Sequence, residues 1–205
     1  MNTAAFSISR IARTQPAEVH RPDVVDLKRL VLRGPEQQDI GPMTALADDI
    51  RVASKAWEMP QPYTISDAGR FLRRVREADG LTVFAIMHRE TGGFLGCCKL
   101  DTNEDETERQ IGFWLGEAYW NRGYMTEALQ GLIDHAYSKA PRLARLSADI
   151  QVVNPAARRV LEKCGFQYAG PGARRDVRLG CLVPVDRYRM DRGIWMALNA
   201  WSRAG

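Results

Sequence analysis

Apolar residues recur through residues 124–139 at Met125, Ala128, Leu129, Leu132, Ile133 and Ala136. That is the i, i+3, i+4, i+7, i+8, i+11 spacing of one helical stripe, and it predicts an amphipathic helix with a single buried face. A second helical pattern, NPAARRVLEKCGF, is punctuated at both ends: Asn154 suits the N-cap, Pro155 the first helical position and Gly165 the C-terminal stop. A third, SDAGRFLRRVREA, predicts a helix capped by Ser66 and stopped at Gly80, and GPEQQDIGPMTALADDI predicts a Pro-led helix. Period-two alternation marks strands at LKRLVLR (27–33), RQIGFWLG and RLSADIQVV, and at LTVFAIMH and FLGCCKL, joined across ETGG as a hairpin. Counted this way, RQIGFWLG is the fourth strand and RLSADIQVV the fifth. In the fifth, Ser147, Asp149 and Gln151 fall on one side and Ala148, Ile150 and Val152 on the other. WEMPQPYT, with two prolines, reads as a loop, and DTNEDETE as an acidic turn. Beyond FQYAG the pattern thins into a Gly/Arg-rich loop and a weak pair of strands before IWMALNAW. Residues 1–25 show no period and read as an arm or poorly ordered tail, which leaves 26–205 as one domain.

Composition adds little that is specific. The chain has 205 residues, enough for one proper core, with 45% hydrophobic and 26% charged residues. Net charge is +4. The Arg residues are spread along the chain, with one denser group at Arg174, Arg175, Arg178, Arg187, Arg189 and Arg192; an acidic or phosphorylated ligand accounts for this as well as nucleic acid does, and nucleic acid is not the expected partner. Cys97, Cys98, Cys164 and Cys181 form no C-x-x-C pair and have no His at ligand spacing, so no metal is expected. Cys97 and Cys98 are adjacent in a strand and point to opposite faces, so the expectation is buried, reduced thiols in a cytoplasmic protein. No apolar run nears the roughly 20 residues of a membrane span, and the N-terminus lacks the apolar core of a secretory signal.

The chemistry concentrates at WNRGYMTEA, residues 120–128, between a strand and the best helix. A helix start presents free N–H groups and the positive end of its dipole, where anions bind. Gly123 allows a close backbone approach, Asn121 tolerates left-handed dihedrals, and Arg122 adds a cation. Neither G-x-x-x-x-G-K-[S/T] nor G-x-G-x-x-G occurs. From the residues alone, a bare tight turn and an anion site both stand.

The run IGFWLGEAYWNRGYMTEAL, followed by the asparagine of VVNPAARRVLEKCGF, resembles the GNAT superfamily of N-acetyltransferases, and within it the RimJ/RimL branch, from about Leu27 to about Trp195. The resemblance implies an α/β (α+β) fold: a mixed, mostly antiparallel twisted sheet with helices on both faces and its fourth and fifth strands splayed. It implies acetyl-CoA as cofactor, its pyrophosphate wrapped by Asn121, Arg122, Gly123, Tyr124, Met125 and Thr126, with Asn154 and Arg158 contributing. Backbone N–H groups of Phe113, Trp114 and Leu115 are implied to hold the oxyanion and the pantetheine arm. Two departures stand out. Trp120 and Met125 replace the outer residues of the family's R/Q-x-x-G-x-G/A turn, and Met125 must therefore turn into the core. Ala157 and Leu161 replace hydroxyls that relatives place near the leaving sulfur, which leaves a non-catalytic acyl-CoA-binding module on the same fold as an alternative. Glu108 and Asp149 are the candidate general bases. The acceptor is implied to be a primary amine, a peptide N-terminus or a small molecule, walled by Trp57, Met59 and Tyr63. Asp101, Glu104, Asp105 and Glu106 could steer a cationic amine, or form an ordinary exposed turn. A homodimer is compatible with this reading.

Overall fold

In a computed structural model of the chain, residues 23–56, 59–78, 80–102 and 106–204 are described. The strands are β1 (Val25–Asp26), β2 (Leu30–Arg33), β3 (Leu81–His88), β4 (Phe94–Thr102), β5 (Glu108–Leu115), β6 (Arg145–Gln151), β7 (Gln167–Arg175) and β8 (Leu182–Asp191). The helices are α1 (Ile40–Ala47), α2 (Ile50–Ala53), α3 (Ile65–Glu77), α4 (Tyr124–Lys139), α5 (Pro155–Lys163) and α6 (Arg192–Ala204). One sheet holds the strands in the order β1-β2-β3-β4-β5-β6-β8-β7. Every neighbouring pair is antiparallel except β5 and β6, whose parallel pairing requires the crossover that α4 supplies. The short β1 precedes the predicted strands, so the fourth and fifth strands of the sequence pattern are β5 and β6.

Both faces of the sheet are covered, and β3 shows how. Phe84 and Ile86 join the cluster under α4 and α5, while Val83, Ala85 and Met87 join the cluster under α1 and α3. Five consecutive apolar residues therefore serve two cores by strand alternation alone. Cys97 and Cys98 divide in the same way, one to each cluster, as their adjacency predicts. All six stripe residues of α4 are buried, and the helix has the predicted bounds. Burying each large side chain, such as fully enclosed Phe84 or Leu129, contributes about 1.5–3 kcal/mol.

Several local expectations are corrected. LKRLVLR is a strand only from Leu30; Leu27–Arg29 turn the chain between β1 and β2, with the Leu27 N–H donating to the Leu30 carbonyl (2.9 Å). The cap of α3 is Thr64, not Ser66, because Thr64 and Asp67 exchange a reciprocal capping box, and the helix ends at Glu77, ahead of Gly80. In GPEQQDIGPMTALADDI a 3-10 turn (Gln37–Asp39) precedes α1, which ends at Ala47, and α2 starts only at the last residue of the stretch, Ile50. The predicted Gly/Arg-rich loop and weak strands are β7 and β8, of 9 and 10 residues. Pro171 and the glycines of β7 are tolerated because β7 is an edge strand bonded only to β8.

Three cysteines are buried, and Cys181 is exposed, against the expectation that all four would be enclosed. Burial pushes the Cys164 thiol up to about 12 and holds Cys97 and Cys98 above the ordinary thiol range. An aromatic disulfide reagent at pH 8 is therefore expected to titrate one thiol in the native protein within seconds and the other three only after denaturation. Colour development with and without guanidinium checks this.

Candidate active site

The site begins where two strands part. Pairing between β5 and β6 covers only Glu108–Gln110 with Arg145–Ser147. β5 then runs on to Leu115, bonded on its other side to β4, while β6 runs to Gln151 bonded to β8. On the side facing the gap, alternate N–H and C=O groups from Ile111 to Leu115 lack a ladder partner in β6, the condition in which a strand edge accepts another extended chain. A cavity of about 990 Å³ fills this gap and continues beneath α3.

At one end of the cavity stands the start of α4. Gly123 is its N-cap at φ 76°, and Asn121 lies at φ 58°, the left-handed dihedral for which its side chain is suited. No side chain caps this helix, and the N–H groups of Tyr124, Met125 and Thr126 have no carbonyl to bond within it. Met125 is 7% exposed and packs in the core, so its bulk leaves the N–H groups clear. Trp120 donates its indole N–H to the Leu115 carbonyl (2.8 Å) and ties the turn to the end of β5.

Glu127 in the first turn of α4 would repel an anion, but Arg29 neutralises it. The Arg29 backbone N–H and Nε donate to its two carboxylate oxygens at 2.6 and 2.7 Å. Arg29 Nη1 also donates to the Arg122 carbonyl (3.0 Å), and its guanidinium lies over the Tyr124 ring, 4.7 Å from the centroid. This clamp braces the turn from behind. Arg159 and Lys163 of α5 add cations to the cavity wall. An uncapped helix start, a left-handed turn, two nearby cations and an adjacent open strand edge form a fitting cradle for a pyrophosphate joined to an amide-bearing arm.

The structure brings Phe113, Trp114, Leu115, Asn121, Gly123, Tyr124, Met125, Thr126, Asn154, Asp149, Met59 and Tyr63 to this one cavity. Asn154 also caps α5, accepting from the Ala157 N–H (3.2 Å). Three sequence candidates stand elsewhere. Arg122 contributes its carbonyl to Arg29, outside the wall. Arg158 donates to the Val152 carbonyl (3.0 Å) and pairs with Asp186 (3.3 Å), while α5 reaches the cavity through Ala156, Ala157, Arg159, Val160 and Lys163. Glu108 sits at the closed end of the β5–β6 pair, 3.7 Å from Arg145. Trp57, Glu104 and Asp105 lie outside the described residues, and Asp101 is engaged by Lys99 (2.9 Å).

Asp149 is held from two directions: Gln110 Nε2 donates to its Oδ2 (3.0 Å), and Arg174 Nε approaches the same oxygen at 3.3 Å. Arg174 Nη2 closes the triangle on Gln110 Oε1 (2.7 Å). Tyr63 is buried beside Met43, and desolvation raises its phenol to about 12, so it stays neutral at any working pH. Ala157 borders the cavity and Leu161 is fully buried, so α5 supplies no hydroxyl at either family position. The basic group of the C-terminal third is partly committed to the fold. Arg178 pairs with buried Asp176 (2.7 Å), and Arg192 donates to the carbonyls of Tyr137, Ala140 and Leu143.

The described residues include no cluster of three metal-ligating side chains and no helix long and apolar enough to cross a membrane. A family profile described as "Acetyltransferase (GNAT) domain" matches residues 29–167. The uncharacterized N-acetyltransferase p20 of Bacillus licheniformis is 27% identical over 136 residues, 60% of this chain and 76% of that protein. Among solved structures, RimJ of Mycobacterium smegmatis, in complex with CoA-disulfide, superposes with a TM-score of 0.72 at 21% identity, over 85% of this chain and 90% of that one. The spermidine N-acetyltransferase of Vibrio cholerae, in complex with CoA and spermine, gives 0.70 at 17% identity, over 82% and 98%. At these identities the two structures speak for the fold alone. The family match weighs for an enzyme over the non-catalytic module.

Proposed function

This chain belongs to the GNAT acetyltransferase family, and we propose that it moves an acetyl group from acetyl-CoA to a primary amine by direct attack of the amine on the thioester. The observation that carries the reading is the uncapped start of α4 at Gly123, opening into the gap between β5 and β6. Acetyl-CoA supplies the acetyl group already activated as a thioester. The N–H groups of Gly123 to Thr126 and the cations of Arg159 and Lys163 hold its phosphates. The gap-facing backbone of Phe113, Trp114 and Leu115 aligns the arm and offers N–H donors to negative charge that develops there. Asp149, inside the cavity and fixed by Gln110 and Arg174, accepts the acceptor's proton; the C–S bond breaks, and CoA leaves as a thiolate, tolerable at a reference thiol pKa of about 8.5, and takes its proton from solvent. A peptide α-amino group needs least help, since its reference pKa is about 7.7–8.0 against about 10.4 for lysine.

Two measurements test this. Calorimetry is expected to detect CoA binding to the purified protein, and thiol release from acetyl-CoA is expected to depend on an added α-amine; protein that binds no CoA would end the proposal. Arg29→Met removes the brace while keeping the apolar stem. CoA affinity is expected to fall about tenfold, roughly 1.4 kcal/mol, because Glu127 is left unpaired beside the phosphates.

A further inference from the structure

We infer that the acceptor carries an anionic group, a carboxylate or a phosphate, close to its amine, and that Arg74 of α3 reads it. The inference rests on the reading of the cavity as an acetyl-transfer site. Beyond the phosphate end, the wall bears Lys55, Arg70, Arg74, Lys99 and Arg174, with Asp67 and Asp149 as its carboxylates among the described residues and Asp101 paired to Lys99 (2.9 Å). The two carboxylates are already taken: Asp67 pairs with Arg70 and Asp149 with Arg174. Arg74 has no carboxylate partner among the described residues. Its guanidinium lies 5.8 Å from the Phe71 ring centroid, on the face of α3 that Asp67, Arg70, Phe71 and Arg74 present to the cavity at i, i+3, i+4, i+7.

An amine that brings only further positive charge meets the unmatched guanidinium of Arg74, and like-charge juxtaposition in a half-enclosed site selects against it. An amine with an acid beside it brings its own counter-charge for Arg74, whose planar fork suits two oxygens of a carboxylate or phosphate. Asp149 is then left to the ammonium end. The wall thus favours a zwitterionic or acidic acceptor over a polyamine.

The test measures binding of four amidated tripeptides, Ala-Asp-Ala, Ala-phosphoSer-Ala, Ala-Asn-Ala and Ala-Lys-Ala, by calorimetry, with and without saturating CoA, on wild type, Arg74→Glu and Arg74→Met. At least one acidic peptide is expected to bind about tenfold tighter than Ala-Asn-Ala, with Ala-Lys-Ala weakest; which acidic arm wins separates carboxylate from phosphate. Arg74→Glu is expected to invert the order and Arg74→Met to flatten it, each with CoA affinity unchanged. Equal binding of the acidic and neutral peptides, preference for Ala-Lys-Ala, or no binding of either acidic peptide overturns the inference. Because the readout is binding, a protein that prefers acidic peptides yet transfers no acetyl group refutes the proposed reaction and leaves this inference standing.

Discussion

Replacing Gly123 by valine is expected to weaken CoA binding about 100-fold while moving the thermal midpoint by only a few degrees. Gly123 sits at φ 76°, and it is this dihedral that turns the chain out of β5 and aims the first N–H groups of α4 at the gap. A β-branched residue in the left-handed region costs on the order of 1–3 kcal/mol. Space is not the obstacle: a Cβ at Gly123 would meet only Arg29 Nη2, at 3.4 Å, an ordinary contact. The chain can therefore escape the strain cheaply by flipping to negative φ, and it does so by re-aiming the N–H groups that hold phosphate. A loss of about 2.7 kcal/mol in binding, the equivalent of 100-fold, follows from losing the orientation of two or three such donors. Gly123→Asn separates conformation from bulk. Asparagine already holds the left-handed dihedral at position 121, so this variant is expected to recover most of the affinity. Calorimetry with CoA and a thermal melt of each variant check both statements; valine at this position with wild-type affinity would remove the turn from the cofactor site.

What the sequence made legible, and what it did not, divides by range. The stripe of α4, the caps of α5, the opposite orientation of Cys97 and Cys98 and the left-handed demand at Asn121 and Gly123 are all set by residues within a few positions of one another, so periodicity and turn chemistry expose them. β7 reads as a loop for an equally local reason: its glycines and Pro171 argue against a strand until the topology places it at the sheet edge. The Thr64 cap is masked in the sequence by Ser66, a competing hydroxyl two residues on. Its own signal, an acidic residue three positions ahead, was present in Asp67.

The site residues that escaped depend on distance or on helix rotation. Arg29 meets Glu127 across 98 positions, and no local pattern announces such a pair. Arg159 and Lys163 could have been found by carrying the cavity face of α5 forward from Ala156 at helical spacing; Arg158 lies one residue, about 100° of rotation, off that face. The opening between β5 and β6 is a property of how two strands separate after three paired residues. Composition cannot show it, and the family resemblance supplied it.

The same geometry favours Asp149 over Glu108 as the base, and Asp149→Asn is the variant that tests the choice. At pH 7 its kcat is expected to fall 100-fold or more, within the range of 10²–10⁴ for loss of a positioned base, while Glu108→Gln stays within about twofold of wild type. Asp149 faces the cavity with Oδ2 pinned by Gln110 and Arg174. Glu108 lies five residues before Phe113 along β5, roughly 16 Å at 3.3 Å per residue, and is turned to Arg145 at the closed end. Asparagine preserves the volume and a hydrogen bond to Gln110 but cannot take a proton. The pH dependence then separates proton transfer from architecture. An α-amine with a reference pKa of about 7.7–8.0 is mostly neutral above pH 9 and no longer needs a base. The Asp149→Asn deficit is therefore expected to shrink as pH rises from 7 to 9.5, with CoA affinity unchanged throughout. A merely structural role would lower CoA affinity or the thermal midpoint and leave a deficit of the same size at every pH; that outcome, or full activity at pH 7, would take Asp149 out of the proton path.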